Sequence, residues 1–156
     1  MIEIRRTTQD DLPALRRLFE EYAKGLGVDL AFQGFDEEVA SLPGRYALPG
    51  GRLLIALHDN ELAGCVAMRP LADGVCEMKR LYVRPSHRGH GIGRALVAGI
   101  LHEAAGAGYR AMRLDTLPTM TEAQTLYLAV GFAPIPPYYD NPIPGAVFME
   151  LLLTAK

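Results

Sequence analysis

The chain has only two cysteines, no apolar run long enough to cross a bilayer, and little net charge of either sign. Each shortage removes a class of protein. Cys65 and Cys76 are too few to frame a disulfide-rich secreted domain. Neighbouring strands would bring them close, yet without a secretion signal they read as reduced, buried thiols. The opening MIEIRRTTQDDL lacks an apolar core of signal-peptide length, and no membrane span follows, so the cytoplasm is the expected location. A net charge of -2 and a pI near 6.1 leave no overall basic field for nucleic acid. No repeat or linker interrupts the 156 residues, so residues 1–156 are expected to form a single domain. With 49% hydrophobic and 22% charged residues, that domain has material for a core and is not a disordered chain.

The hydrophobic period sets the expected order of elements. MIEIRRT alternates Ile2 and Ile4 with polar residues, as a half-buried strand does. Thr8 and Asp10 offer N-caps to a helix whose Leu12, Leu15, Leu18, Phe19 and Tyr22 fall on one face, with Gly25 and Gly27 ending it. FDEEVASL reads as a short second helix. RLLIALHD, ELAGCVAMRPL and VCEMKRLYV read as a three-strand meander with turns at Asp59-Asn60 and Ala72-Asp73-Gly74. After Pro85 the period changes: Ile92, Leu96, Ile100 and Ala104 lie four apart, as on a helix packed against the sheet. YRAMRLDTL, TEAQTLYLAVGF and AVFMELLL add a strand, a helix and a last strand, giving a mixed α/β domain with helices on both faces. Residues 134–145, PIPPYYDNPIPG, carry too much proline for regular structure.

Between the meander and the long helix stands RPSHRGHGIGRAL, residues 84–96, where glycines alternate among arginines and histidines. No Gly-Lys-Ser/Thr completes a P-loop. In a dinucleotide fingerprint the sixth position would be glycine, and here it is Arg94 or Leu96 depending on the starting glycine. What remains is Arg88-x-x-Gly91-x-Gly93 after a strand and at the start of a helix. Glycines let backbone N–H groups approach an anion, and the helix start supplies donors without intrahelical partners and a partial positive charge. Arg88 and Arg94 add charge, so the stretch suits a pyrophosphate better than a carboxylate.

On these residues the sequence resembles the GNAT superfamily of acetyl-CoA-dependent N-acyltransferases. LYVRPSHRGHGIGRALV is similar to its central acyl-CoA motif, Q/R-x-x-G-x-G/A after the fourth strand. AQTLYLAVGF resembles a second signature, in which a tyrosine (Tyr127) lies five residues before the phenylalanine of Gly-Phe (Phe132). The resemblance implies a mixed, mostly antiparallel twisted sheet of six to seven strands, splayed at its centre and flanked by about four helices. It implies acetyl-CoA as co-substrate, without a metal, and direct transfer to a primary amine in a ternary complex. Backbone groups of Leu81, Tyr82 and Val83 would meet the pantetheine arm. N–H groups of Arg88, Gly89, His90, Gly91, Ile92 and Gly93 would hold the pyrophosphate, with Arg94 nearby. Many members carry asparagine seven residues before the tyrosine; here that residue is Met120.

A primary ammonium has a pKa near ~10.4 and must lose a proton before it attacks. Glu77, six residues before Val83, is the expected base, set against a plain surface carboxylate balancing Lys79 and Arg80. The N–H of Val83 would face the developing oxyanion, and Tyr127 would hydrogen-bond the departing thiolate. His87 and His90 have no companion ligand for a metal, and neither cysteine has a basic setting for a nucleophile. Phe32, in AFQGF, and Tyr138, Tyr139 and Asn141 are expected to wall the acceptor site, while Asp36, Glu37 and Glu38 would favour a cationic amine. A small-molecule amine is the expected acceptor. The alternatives are a protein N-terminus or lysine, or a non-catalytic acyl-CoA sensor. No partner nucleic acid or membrane is expected, and the resemblance admits a homodimer.

Overall fold

A computed structural model describes residues 1–27, 29–31 and 34–153. The alternating start becomes β1 (Ile2–Arg6), followed by helices α1 (Leu12–Leu26) and α2 (Phe35–Ala40). The meander forms as β2 (Arg52–His58), β3 (Glu61–Ala72) and β4 (Val75–Val83). Then come α3 (Ile92–Gly106), β5 (Ala111–Thr116), α4 (Thr121–Val130), β6 (Ala133–Ile135) and β7 (Val147–Leu152). The seven strands make one sheet in the order β1-β2-β3-β4-β5-β7-β6, antiparallel except between β4 and β5. That parallel pair requires a crossover, and α3 supplies it.

Two local readings change. The α1 entrance is a 3-10 turn, Gln9–Asp11, in which the Thr8 N–H donates to Asp11 Oδ2 at 2.7 Å. Asp11 rather than Asp10 therefore precedes the helix, and Gly27 ends it in the left-handed conformation (φ 69). The proline-rich stretch also begins with β6, where Pro134 lies opposite Met149 of β7. Proline is tolerated there because β6 is an edge strand, whose outward N–H has no ladder partner to lose.

Alternation along β2, β3 and β4 feeds two cores. Leu54, Ala56, Val66, Met68, Cys76 and Met78 pack toward α3 and α4, where Ile92, Leu96, Ile100 and Tyr127 meet them. Leu53, Ile55, Cys65 and Ala67 pack toward Leu15, Leu18 and Phe19 of α1. Burial on both faces explains why these strands read as nearly continuous apolar runs. Cys65 and Cys76 accordingly sit in different cores, both buried and both free thiols. Among the described residues no helix is long and apolar enough to cross a membrane.

The sheet opens at its centre. β4 and β5 pair only from Val75–Glu77 against Ala111–Arg113. Beyond that, Cys65 faces Tyr82 while Ala67 faces Lys79, so Val66 is opposed by both Arg80 and Leu81. This bulge puts Arg80 at φ 62, a left-handed conformation that costs a non-glycine residue about 1 kcal/mol or more. Its side chain offsets the strain. The guanidinium, 1% exposed, donates to both carboxylate oxygens of Glu38 at 2.9 Å. It also stacks 5.1 Å from the Phe35 ring centroid and 5.7 Å from that of Tyr22. Glu38→Ala is therefore expected to leave a buried charge uncompensated and to cost about 3–5 kcal/mol in urea unfolding, with Glu38→Gln costing less.

Candidate acyl-CoA and acceptor site

The backbone of β4 is polarised at the opening. Arg84 N–H donates to Ala63 O at 2.7 Å, so in the antiparallel ladder Tyr82 also turns its main chain toward β3, whereas Leu81 and Val83 turn theirs toward the missing neighbour. Of the three residues, Leu81 and Val83 thus turn their main chains away from β3 and Tyr82 does not. Tyr82 contributes its side chain instead, donating from its hydroxyl to Glu21 Oε1 at 3.2 Å and lying under Arg88. The outward Val83 carbonyl is taken by Arg88 Nε at 2.9 Å, which fixes the root of the glycine loop to the strand.

From there Pro85–His87 makes a 3-10 turn, and Gly89 (φ 85) and Gly91 (φ 81) take left-handed conformations that bring the chain into α3. A Cβ at either glycine would meet nothing within 4 Å. Both glycines are thus required by the turn and not by lack of space. The first bond into the helix runs from Ala95 N–H to Gly91 O, and no side chain caps Gly91. The N–H groups of Ile92, Gly93 and Arg94 consequently point out of the helix start without intrahelical partners, as an anion requires.

These groups border a groove of about 430 Å³ lined by Leu81, Tyr82, Val83, Arg88, Gly89, Gly91, Ile92 and Gly93 on one side and residues 119–123 and Leu126 on the other. Gly93 forms part of its floor, where a Cβ would sit 3.6 Å from Leu126. The side chains of His90 and Arg94 do not line it; His90 turns to His58, with ring centroids 4.7 Å apart. His58 was not singled out in the sequence, yet its Nδ1 lies 3.0 Å from His87 Nδ1, so three histidines pack together beneath the loop. Among the described residues no cluster of side chains is arranged to hold a metal.

Leu81 and Met120 also line a second, narrower cleft in the opening between β4 and β5, whose free space of about 30 Å³ is room for a water or two. Tyr127 and Thr116 lie on its α4 side, Tyr22, Leu26 and Leu30 on its α1 side, and Lys79, Arg80 and Asp115 between them. Tyr127 is 4% exposed, and burial, reinforced by Tyr22 and Asp115, pushes its phenol above the usual range. It stays a neutral hydrogen-bond donor. Thr116 Oγ1 is buried with no hydrogen-bond partner among the described residues, a polar atom left available to whatever occupies the cavity.

Glu77 lies elsewhere. It sits where β4 and β5 still pair, 2% exposed, bound by Arg69 Nε at 3.0 Å and by the Tyr138 hydroxyl at 2.7 Å, and it does not line the cavity. The loop residues expected to wall the acceptor site do a related task. Tyr138 is committed to Glu77, while Tyr139 and Asn141 both donate to Asp115 Oδ2. Phe32 lies outside the described residues. Of the three acids at α2, Glu38 is neutralised by Arg80.

Comparison with known proteins agrees with this geometry. A model of the acetyltransferase (GNAT) family matches residues 12–132. An uncharacterized N-acetyltransferase of Schizosaccharomyces pombe is 45% identical over 143 residues, covering 90% of this chain and 88% of that protein. The chain belongs to the GNAT family of acetyltransferases. A GNAT acetyltransferase structure from Staphylococcus aureus superposes with a TM-score of 0.81 at 19% identity, covering 99% of this chain and 100% of that one. The yncA structure from Salmonella typhimurium, a putative acetyltransferase solved with its cofactor acetyl-CoA, gives 0.73 at 22% identity, covering 98% and 94%.

As a GNAT protein the chain is an acetyl-CoA-dependent acyltransferase, and the residues around its groove fit that co-substrate. Outward backbone groups on β4 match an amide-bearing arm, and the glycine loop matches a pyrophosphate. What the sequence reading missed is the Lys79–Asp115 pair. In the sequence Lys79 enters only, with Arg80, as a charge that Glu77 could balance, because no local spacing connects β4 with β5. Gly91→Asp, which puts a carboxylate among the loop N–H groups in a strained conformation, is expected to weaken CoA binding about tenfold or more by titration calorimetry. Circular dichroism should stay unchanged.

Proposed function

We propose that this GNAT enzyme moves an acetyl group from acetyl-CoA to the primary amine of a small molecule, by direct attack within a ternary complex. The observation that carries the reading is the continuity of the two cavities through Leu81 and Met120. A donor-lined groove leads into a narrower, partly open cleft. With only about 30 Å³ of free space between Tyr22, Leu26 and Leu30 on one side and Tyr127 on the other, the cleft excludes a folded protein surface and favours a small amine, which enters as these side chains move apart. The two buried thiols are suited to a reducing compartment such as the cytoplasm.

In this reading the N–H groups of Ile92, Gly93 and Arg94 hold the pyrophosphate, with Arg88 beside them, and Leu81 and Val83 bind the pantetheine arm. The outward N–H of Val83 faces the carbonyl oxygen of the thioester as negative charge develops on it. Tyr127 stabilises the leaving sulfur. Because burial raises its phenol further above a thiol's ordinary ~8.5, it does so by donating a hydrogen bond and keeps its own proton. Met120, in place of the family's frequent asparagine, makes this junction apolar. Glu77 serves by holding Tyr138 and Arg69 in place, at a distance from the reacting atoms.

Thiol release from acetyl-CoA across a panel of amines, amino acids and peptides tests the reading. Turnover with small amines and none with peptides is the expected result. CoA binding without release to any acceptor would instead support a sensor. Tyr127→Phe should lower kcat by about tenfold to a hundredfold, with KM for acetyl-CoA nearly unchanged; unchanged kcat would remove Tyr127 from the leaving-group role.

A further inference from the structure

Among the ion pairs on this face of the sheet, one is looser than its neighbours. Arg80–Glu38, Arg69–Glu77 and Arg113–Glu150 close to 2.9, 3.0 and 2.7 Å. Lys79 Nζ stands 3.7 Å from Asp115 Oδ1, although its side chain is only 4% exposed. Asp115 is fixed from the other side, where Oδ2 accepts from Tyr139 and Asn141. Both members of the pair line the narrow cleft, as Tyr127 and Tyr22 do. On the acetyl-transfer reading the ammonium is therefore beside the cleft assigned to the acceptor amine, with Asp115 held next to it by Tyr139 and Asn141.

We propose that Lys79, held beside Asp115, is the base that takes the proton from the acceptor's ammonium. The inference rests on the acetyl-transfer reading above. In the step, neutral Lys79 accepts a proton as an N–H bond of the acceptor breaks and its electron pair remains on the acceptor nitrogen. The resulting Lys79 ammonium faces the Asp115 carboxylate. The freed pair forms the N–C bond to the thioester carbonyl carbon, and the C–S bond breaks with its electrons leaving on sulfur. The second surplus proton on nitrogen goes to sulfur, giving the amide and a free thiol, and Lys79 returns its proton to solvent.

Magnitudes favour an amine over a carboxylate here. Proton transfer from an alkyl ammonium to an ordinary carboxylate is uphill by about six pK units, whereas transfer to a second amine is uphill only by as much as its surroundings lower that amine. Burial lowers the proton affinity of Lys79; Asp115 of β5 and Glu77 of β4 raise it, and Arg80 and Arg69 lower it. Tyr22 on α1 and Tyr127 on α4 face the same cleft as neutral phenols, both pushed upward by burial. The balance is downward, toward the neutral amine.

Two measurements decide the matter. Lys24, Lys79 and Lys156 are the only lysines, so protein grown with 13Cε-lysine gives three signals to titrate. The one lost in Lys79→Arg should titrate below the other two, and further below in Asp115→Asn. Titration at or above the other two overturns the proposal. In thiol release, Lys79→Arg keeps the charge but cannot act as a base, so kcat should fall about a hundredfold or more, and Lys79→Met likewise, with CoA affinity intact as evidence of folding. The wild-type rise of kcat with pH, as Lys79 loses its proton, should vanish in both variants and persist in Glu77→Gln. A rise that persists in Lys79→Arg with activity within about threefold of wild type, or that vanishes only in Glu77→Gln, sinks the proposal alone. Failure of the wild-type chain to release thiol with any amine sinks the acetyl-transfer reading with it.

Discussion

The whole site hangs on the conformation of one residue, Arg80. A strand continuing straight from Met78 would stay beside β5 and close the sheet, leaving no room for a ligand between them. The left-handed turn at Arg80 inserts an extra residue opposite Val66 and redirects Leu81 and Val83. A glycine would take that conformation with less strain, but it would bring no side chain. Arginine accepts the strain and in return ties the bulge to α2 through Glu38 and to α1 through Tyr22. The opening in the sheet is thus coupled to the helices that roof the cleft. Distortion of either would be felt by the other.

A second consequence concerns the glycine loop. A side-chain bond from Arg88 to the Val83 carbonyl helps hold it to β4, and that bond exists because the bulge has turned the carbonyl away from β3. Arg88 therefore does more than add positive charge. It ties the outward-facing end of β4 to the glycine loop, so that the distance between them is built into the protein. Preorganisation of this kind spares the binding step the cost of ordering a flexible loop.

The sequence made the architecture legible because its signals were local. Glycines at left-handed turns, Ile92, Leu96 and Ile100 four apart, and turn residues between apolar strands each reported on a few neighbouring positions. The glycine loop was readable for the same reason, since Arg88, Gly91 and Gly93 lie within six residues. The cleft between β4 and β5 was not, because its parts come from distant segments. Asp115 is far in sequence from Lys79 and from Asn141, and only the sheet order brings the three together. Glu77 attracted attention as an acid on the right strand. Pairing register, invisible in sequence, placed it where the sheet is still closed, two residues short of the position that reaches the cleft. β6 escaped notice because proline is a poor strand former everywhere except at an edge, and edge status is a property of the finished sheet.

The proline-rich loop shows how these constraints combine. Its aromatic residues have ordinary roles as packing, with Tyr138 and Tyr139 edge-on to Phe148 at 5.1 and 5.4 Å. Their hydroxyls reach past that packing to two buried carboxylates on adjacent strands. Without the loop, Glu77 would keep only Arg69, and Asp115 would face the cleft with a lysine at ion-pair distance and a free oxygen. By occupying that oxygen the loop leaves Asp115 a single direction in which to act, toward Lys79. An acid that is saturated on one side stabilises a charged lysine without competing for its proton. The loop thereby fixes both carboxylates through Tyr138, Tyr139 and Asn141.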